Sequence, residues 1–314
     1  MKVAVLSKSF AKASDQPITL LENAGIEVLQ RPNDDPANEE RVAELIGDCD
    51  GAIVAAQDRV GSIVFDRCPK LRVVADHAVG FDRIDMEVAQ RRGIVVKTCP
   101  GNYESVADLA WLFILASARK LLPAVQSVKD GQWSPPAFSG AEVLHKTIGI
   151  VGYGQIGRAV IQRAQGFENK ILVYDPFVRN IAPVGNLEIA HVSLDALLEQ
   201  SDVVSLHVPL SEGTRYIIDS VALSKMKRSA TLINTSRGGL VDEAALHRAL
   251  TDGTIAAAAT DVFETEPPGN NPLLGLPNFI ATPHLGAQTA DANIRTGMMA
   301  ARIIIDVLTK NTNS

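Results

Sequence analysis

The stretch that decides the fold of this chain is "TIGIVGYGQIGRA", residues 147–159. It joins a short apolar run, typical of a buried strand, to the motif Gly152-x-Gly154-x-x-Gly157 and the start of a helical pattern. A G-x-G-x-x-G motif alone is a weak signal, because glycine-rich turns are common. Its position between a buried strand and a helix is what the dinucleotide-binding fingerprint requires, so we predict that this loop binds NAD.

Each glycine of the motif has an expected role. Gly152 permits the tight turn, Gly154 lets the backbone approach a pyrophosphate, and Gly157 lets the helix lie close to the strand. The amino terminus of that helix offers unpaired N–H groups to the phosphates. Asp175 ends the next strand pattern, 18 residues after Gly157, where an acid binds the ribose hydroxyls. A carboxylate there repels the 2′-phosphate of NADP, which favours NAD, although Arg179 lies near. The alternative is that Asp175 only shapes the following turn.

The composition is typical of a globular protein. The chain has 314 residues, which predicts about two domains, with 46% hydrophobic and 21% charged residues. The net charge is -6 and no block of Lys or Arg occurs, so neither nucleic acid nor an anionic membrane is an expected partner. A small anionic substrate is compatible with this charge, because one well-placed arginine can bind it.

The remaining bulk features indicate a cytoplasmic protein. The amino-terminal apolar run is too short for a signal-peptide core, and the longest apolar stretch, residues 109–118, is too short to span a bilayer. The three cysteines are Cys49, Cys68 and Cys99. This odd number without a CxxC motif argues against a disulfide framework and a zinc site, and free thiols suit a reducing compartment.

Strand and helix patterns alternate in two series, which predicts two doubly wound α/β units with parallel sheets. The first series has five strand patterns and the second, from Thr147, has six. The last helical pattern, residues 288–310, is too short for a domain, and we expect it to dock on the first unit. The predicted domains are therefore a discontinuous one, residues 1–100 and 287–314, and an NAD-binding Rossmann domain, residues 101–286.

Two segments precede the second series. Residues 104–122 form a predicted single long helix with apolar residues on nearly every side, which suits a large core or a subunit contact, and we favour the contact. Residues 129–143, "KDGQWSPPAFSGAEV", are loop-like. We interpret this loop as a linker or as an arm that grips a partner subunit.

Arg237 is the candidate cation of the site. A 2-keto acid needs a cation for its carboxylate and an acid for its carbonyl oxygen, while a nicotinamide cofactor supplies the hydride. Arg237 follows the strand pattern "ATLIN", at a carboxyl-end loop where open α/β sheets bind ligands. Its planar guanidinium can hold a carboxylate bidentately, which a lysine cannot do. Taken alone, it is better explained as a surface arginine at a strand end.

His284 is the candidate proton donor, just past the apolar run "NFIAT". Glu266 lies 18 residues earlier, beside paired prolines. A carboxylate next to an imidazole favours the charged ring, so Glu266 would tune His284 as a general acid if the two loops converge. We interpret the rival carboxylate, Glu264, as exposed. The alternative is a structural histidine and a solvated acid.

Four stretches of the second half resemble the D-2-hydroxyacid dehydrogenase family: "GYGQIG" with "YDP", "NTSRGGLVDE", "DVFETEPP" and "TPHLGA". The first half is similar more loosely, through "AVGFDRIDMEVAQRRGIVV". The resemblance implies that Arg237 binds the substrate carboxylate and keto group, that His284 is the general acid/base, and that Glu266 pairs with it. It also implies a flavodoxin-like discontinuous substrate domain, a cleft between the domains, and a homodimer built on the cofactor domain.

The resemblance further implies ligand contacts by position. Backbone groups of Val79 and Gly80 would contact the substrate. Beyond the motif glycines, the residues expected around NAD are Ser105, Tyr153, Gln155, Ile156, Asp175, His207, Pro209, Thr214, Thr235, Asp261, His284 and Gly286.

Within the family, the chain is most similar to 3-phosphoglycerate dehydrogenases without a regulatory extension. Those members tend to have arginines in the loops that read "IVAAQD" and "ADHAVG" here, where this chain has Ala55 and His77. Alanine cannot bind a phosphate, so Arg59 or His77 would have to substitute. The substrate therefore stays open among 3-phosphoglycerate, hydroxypyruvate, glyoxylate and other small 2-keto or 2-hydroxy acids.

Other classes fit less well. A formate-type dehydrogenase has glutamine where Glu266 stands, and an NAD-sensing corepressor would be a binding protein with this same fold. A hydrolase is disfavoured because "TSRGG" is not a G-x-S-x-G elbow, and no cluster of His, Cys and Asp has metal-ligand spacing. We predict an NAD-dependent oxidoreductase acting on the CH–OH group of a small anionic acid, without a metal.

Overall fold

The protein is described by a computed structural model that covers residues 1–55, 57–78, 80 and 83–310. The chain forms two compact units, Met1–Asn102 with Ala287–Ser314, and Tyr103–Gly286. Each unit has a single sheet with interleaved helices, and all described strand pairs are parallel. The predicted α/β class with two doubly wound sheets is therefore confirmed.

The first unit has a five-stranded sheet in the order β2-β1-β3-β4-β5. Its strands are β1 (Lys2–Val5), β2 (Glu27–Gln30), β3 (Gly51–Val54), β4 (Val73–Asp76) and β5 (Val95–Thr98). Its helices are α1 (Gln16–Asn23), α2 (Glu39–Ile46), α3 (Ser62–Arg67), α4 (Met86–Arg91) and the last helix of the chain, α11 (Ala290–Lys310). The strand order reverses direction between β1 and β3, the place where open α/β sheets bind ligands.

Alternating side chains of this sheet supply two cores. Val3 and Ile53 point to one face, where they pack with Ile304 and Leu308 of α11. Ala4 and its neighbours on the other face pack with α2 and α3. The last helix thus packs on the first unit.

The second unit has a seven-stranded sheet in the order β12-β11-β10-β9-β6-β7-β8. Its strands are β6 (Thr147–Val151), β7 (Lys170–Tyr174), β8 (Ile189–His191), β9 (Val203–Leu206), β10 (Thr231–Asn234), β11 (Ala257–Thr260) and β12 (Phe279–Ala281). Its α-helices are α5 (Tyr103–Ala118), α6 (Leu121–Lys129), α7 (Gln155–Ala164), α8 (Leu194–Gln200), α9 (Ser220–Lys225) and α10 (Glu243–Thr251). Short 3-10 turns occupy Pro135–Phe138, Gln165–Phe167, Gly238–Leu240 and Pro272–Gly275.

The predicted single helix over residues 104–122 is wrong, because the structure has two helices there. Lys120 adopts the left-handed conformation, with φ 49°, and separates α5 from α6. Pro123 then lies in the first turn of α6, where its missing N–H costs nothing, whereas a continuous helix would place it in the interior. Nine of the sixteen residues of α5 are buried, so this helix belongs to the core of the second unit.

Two short elements escaped the sequence patterns. The second sheet has seven strands, whereas the sequence predicted six. The strand that was missed is β8, an edge strand of only three residues with a weak apolar signal. Helix α3 has only six residues, and the sequence patterns did not include it. Among the helices of the described residues, none is long and apolar enough to cross a bilayer.

Candidate functional site

The glycine motif forms the turn between β6 and α7. Gly152 has φ +101°, a conformation that L side chains rarely adopt. A Cβ on Gly157 would lie 2.2 Å from the carbonyl oxygen of Gly152, so only glycine lets the helix approach this closely. At Gly154, the N-cap of α7, a Cβ would meet no atom within 4 Å. The loop therefore has the tight turn, the close helix and the open side that a pyrophosphate requires.

Asp175 follows β7 and lies beside this loop. Its Oδ2 accepts a hydrogen bond from the Tyr153 N–H (2.8 Å), and its Oδ1 accepts one from the Phe177 N–H (3.0 Å). The turn role considered for Asp175 is thus real, and the same carboxylate is held against the glycine loop. This geometry places a negative charge at the position where an adenosine ribose is bound in such folds.

His207 follows β9, and its backbone lies against Gly152. The residue is only 9% exposed, and its Nε2 hydrogen-bonds the Ser205 hydroxyl at 2.9 Å. Burial lowers the pKa of His207 to about 3, so the ring is neutral. Its carbonyl oxygen lies 2.6 Å from where a Cβ on Gly152 would be. The glycine at position 152 therefore permits the contact with β9 as well as the turn.

The other expected cofactor residues lie along the same edge of the sheet. The Thr214 hydroxyl donates to the Pro209 carbonyl (2.6 Å) and so closes the loop after β9. Thr235 is buried after β10, and its hydroxyl has no hydrogen-bond partner among the described residues. Ser105 is buried in α5, while Gln155 and Ile156 open α7. An orphaned buried hydroxyl at a carboxyl-end loop is a group that a bound ligand would satisfy.

Asn234 fixes the loop that carries Arg237. Its side-chain Oδ1 accepts from the Ser236 N–H (3.0 Å), and its Nδ2 donates to the Arg237 carbonyl (2.8 Å). The Ser236 hydroxyl donates to the Leu206 carbonyl (2.7 Å), which ties the loop to β9. Arg237 is partly buried, and its Nη1 donates to the Ser236 carbonyl (2.8 Å). The backbone that bears the Arg237 guanidinium is thus fixed by the side chains of Asn234 and Ser236.

The predicted contact between Glu266 and His284 is present. The Glu266 Oε2 lies 2.7 Å from His284 Nδ1, and Oε1 accepts a hydrogen bond from the Phe263 N–H at 3.1 Å. An ionised carboxylate only accepts, so in this contact Nδ1 carries the proton, and Nε2 is the ring nitrogen that the contact does not use. The side chains are 51% and 38% exposed for His284 and Glu266. Glu264 is exposed, as expected.

Asp261 organises the loop that presents His284. It is 1% exposed, and its carboxylate accepts hydrogen bonds from the Thr282 hydroxyl (2.5 Å) and from the N–H groups of Leu285 (2.8 Å) and Gly286 (2.7 Å). Its carbonyl accepts from the His284 N–H (2.9 Å), and His284 has φ +52°. The sequence indicated Asp261 only as a residue near NAD, and its position at the end of β11 was the signal for a structural role.

The expected substrate contacts of the first unit are described only in part. Val79 lies outside the described residues, and Gly80 follows β4 in a partly buried position. His77, just before them, has its Nδ1 3.3 Å from the Ser7 hydroxyl and 3.2 Å from the Ser9 hydroxyl. Burial lowers its pKa to about 4, so His77 is neutral near neutral pH. No group of three or more potential metal ligands occurs within the described part of the chain.

Residues 111–286, more than half of the chain, match the family model "D-isomer specific 2-hydroxyacid dehydrogenase, NAD binding domain". The chain belongs to the D-isomer specific 2-hydroxyacid dehydrogenase family. It is therefore an NAD-dependent oxidoreductase of the class that acts on CH–OH groups, as the sequence predicted.

Relatives in this family have several names. The chain is 42% identical over 276 residues to a glyoxylate reductase of Korarchaeum cryptofilum, covering 86% of this chain and 83% of that protein. It is 41% identical to a D-3-phosphoglycerate dehydrogenase of Methanocaldococcus jannaschii over 86% of this chain but only 52% of that one. A solved structure of D-2-hydroxyisocaproate dehydrogenase is 26% identical, with a TM-score of 0.87 over 100% of this chain and 98% of that one.

Proposed function

We propose that this dehydrogenase reduces a small unphosphorylated 2-keto acid with NADH, and that glyoxylate and hydroxypyruvate are its substrates. The observation that supports this most is the Glu266–His284 pair, 2.7 Å apart, on the unit that holds the glycine loop. The similarity to a glyoxylate reductase over most of both chains points in the same direction.

The surroundings of His77 favour an unphosphorylated substrate. A phosphate site in this chain would depend on His77 or Arg59, because Ala55 cannot bind an anion. His77 is neutral near pH 7, since burial lowers its pKa to about 4, and its Nδ1 is directed to two serine hydroxyls. A neutral ring supplies none of the charge that makes phosphate contacts strong.

The proposed mechanism divides the work among three side chains. Arg237 holds the substrate carboxylate and orients the keto group. When bound, NADH supplies the hydride that reduces C2 of the keto acid. His284 gives the proton on Nε2 to the substrate oxygen, and Glu266 stabilises the imidazolium through Nδ1. In the opposite direction, neutral His284 accepts the hydroxyl proton.

The residues of the second unit fit the cofactor. We propose that the pyrophosphate lies on the loop from Gly152 to Gly157 and that Asp175 accepts hydrogen bonds from the ribose. The buried Thr235 hydroxyl, which lacks a partner among the described residues, would gain one. The first unit, with the loop holding Gly80, would be the substrate domain.

We also propose a cytoplasmic homodimer formed through the second unit. Helix α6 exposes an apolar stripe, and the arm after it exposes Trp133 at 82%. The stripe consists of Leu121, Leu122, Val125 and Val128, each at least 45% exposed. A contiguous apolar patch of this kind is typical of a protein interface. The three free, buried cysteines are compatible with a reducing compartment.

A substrate panel tests the proposal. We expect NADH oxidation with glyoxylate and hydroxypyruvate, and a much lower kcat/KM with 3-phosphohydroxypyruvate. A preference for the phosphorylated acid would overturn the proposed substrate class. The absence of turnover with every acid of the panel would favour the NAD-sensing binding protein. Light scattering of the purified protein tests the dimer, and a monomeric mass would contradict it.

A further inference from the structure

Glu243 holds both ends of the loop that contains Glu266. One of its carboxylate oxygens, Oε1, accepts a hydrogen bond from the Glu264 N–H at 2.8 Å. The other, Oε2, accepts one from the Asn271 side-chain Nδ2 at 2.6 Å. Residues 264–271 are therefore closed by a single carboxylate, with Glu266 between the two attachment points.

Glu243 itself is fixed, because it is the first residue of α10. The N-cap of this helix is Asp242, whose side chain accepts from the Ala245 N–H (2.9 Å). Leu246, on the next turn, is 4% exposed and packs in the core of the second unit. The carboxylate of Glu243 thus extends from a rigid element, which gives its two hydrogen bonds a fixed origin.

The same segment of chain begins at Arg237. Gly238, the next residue, packs directly against the backbone from which the Glu266 loop departs. A Cβ on Gly238 would lie 1.9 Å from the carbonyl carbon of Phe263 and 2.3 Å from the backbone nitrogen of Glu264, so only glycine fits. Residues 237–243 therefore touch the loop twice, once through backbone packing and once through the Glu243 carboxylate.

We propose that Glu243 is a positioning residue for proton transfer. It holds the 264–271 loop so that the Glu266 carboxylate meets His284 Nδ1 while Nε2 stays directed to the substrate. Because the segment also bears Arg237, the group that binds the substrate carboxylate and the group that orients the acid share one support. This inference rests on the proposed function of Arg237, Glu266 and His284.

The test is Glu243→Gln, in which an amide NH₂ replaces one of the two acceptors and faces a donor. We expect kcat for glyoxylate reduction to fall about 10- to 100-fold, the size of a small misplacement of a catalytic group. KM should change less than about twofold, because Arg237 stays in place. The pH–rate profile should move in the same direction as in Glu266→Gln.

Glu264→Gln is the matched control, since it removes the same charge from an exposed position of the same loop. It should leave kcat and the pH profile close to those of the wild type. The double variant Glu243→Gln with Glu266→Gln should be no slower than Glu266→Gln alone, because a positioning residue has nothing left to position.

Three results would overturn the inference. They are a Glu243→Gln enzyme as active as the Glu264→Gln control, a loss confined to KM, and fully additive losses in the double variant. If Glu243→Gln fails to fold, Asn271→Ala removes one of the two hydrogen bonds and should lower kcat in the same way, by less. A His284→Ala enzyme that stays active would instead refute the proposed function, so the two failures are distinguishable.

Discussion

The loops that present His284 and Glu266 are held by different kinds of carboxylate. Asp261, 1% exposed, accepts three hydrogen bonds from the His284 loop. Glu243, partly buried, accepts two from the Glu266 loop. Water competes little for hydrogen bonds in the interior, so the histidine stands on the firmer support. The loop of His284, the proposed proton donor, is therefore held more rigidly than the loop of Glu266, which is proposed to tune it.

The largest effect is expected when the acid itself is removed. His284→Ala should lower kcat by about 10²- to 10⁴-fold, the usual contribution of general acid–base catalysis. NAD binding, followed by fluorescence titration of NADH, should largely survive, because the glycine loop is intact. An alanine variant with wild-type turnover would show that the supports of the His284 loop serve some other purpose.

Arg237→Lys should come next, with a loss on the order of 10²-fold in kcat/KM, since a point charge replaces a planar fork that binds a carboxylate and a carbonyl oxygen. The backbone bonds of Asn234 to this loop should be unaffected. Melting temperatures of the variant and the wild type should therefore agree within a few degrees. A large drop in stability would mean that Arg237 acts mainly in the fold.

Asp261→Asn tests whether the His284 loop is held more firmly than the Glu266 loop. The amide retains one acceptor but presents its NH₂ to N–H donors, and each buried group left unsatisfied costs about 1–3 kcal/mol. We expect a loss of kcat larger than in Glu243→Gln, together with a lower melting temperature. Should Glu243→Gln be the more damaging change in both assays, the proposed difference between the two loops is wrong.

Glu266→Gln tests whether the charge of Glu266 stabilises the imidazolium of His284. The amide cannot stabilise the imidazolium by charge, so the pH profile for keto acid reduction should move toward acid. A pH profile that coincides with the wild type would contradict the tuning role.

The smallest effect concerns a buried group apart from both loops. Burial lowers the pKa of His207 from 6.5 to about 3, so the folded protein keeps this ring neutral while the unfolded chain takes up a proton. The contribution of neutral His207 to the free energy of unfolding is therefore fully present above pH 6.5. It decreases as the pH falls below 6.5, by at most about 1.4 kcal/mol per pH unit. Denaturant titrations at pH 7 and pH 5 measure this loss. His207→Gln should show a smaller loss than the wild type, and the exposed control His145→Asn should not.

Much of the fold could be predicted from neighbouring residues. The glycine motif between an apolar run and a helical pattern gave the cofactor unit, and the alternation of strands and helices gave parallel sheets. The predictions from apolar patterns failed in two places. They missed the helix boundary marked by a single residue, Pro123, and the strand β8, which has only three residues. Lys120 adopts the left-handed conformation and interrupts the helix before α6, and apolar periodicity does not detect such an interruption.

The sequence by itself identified the groups that we propose carry the chemistry: a glycine loop, an arginine, and a histidine with a carboxylate available to it. Each of these groups lies in a short motif of its own, so the residues around it reveal it. The tertiary structure alone decided what holds these groups in place. Asp261 reaches residues up to 25 positions away, and Glu243 up to 28. These contacts depend on how strands and loops meet in space, and no local pattern of residues specifies that meeting.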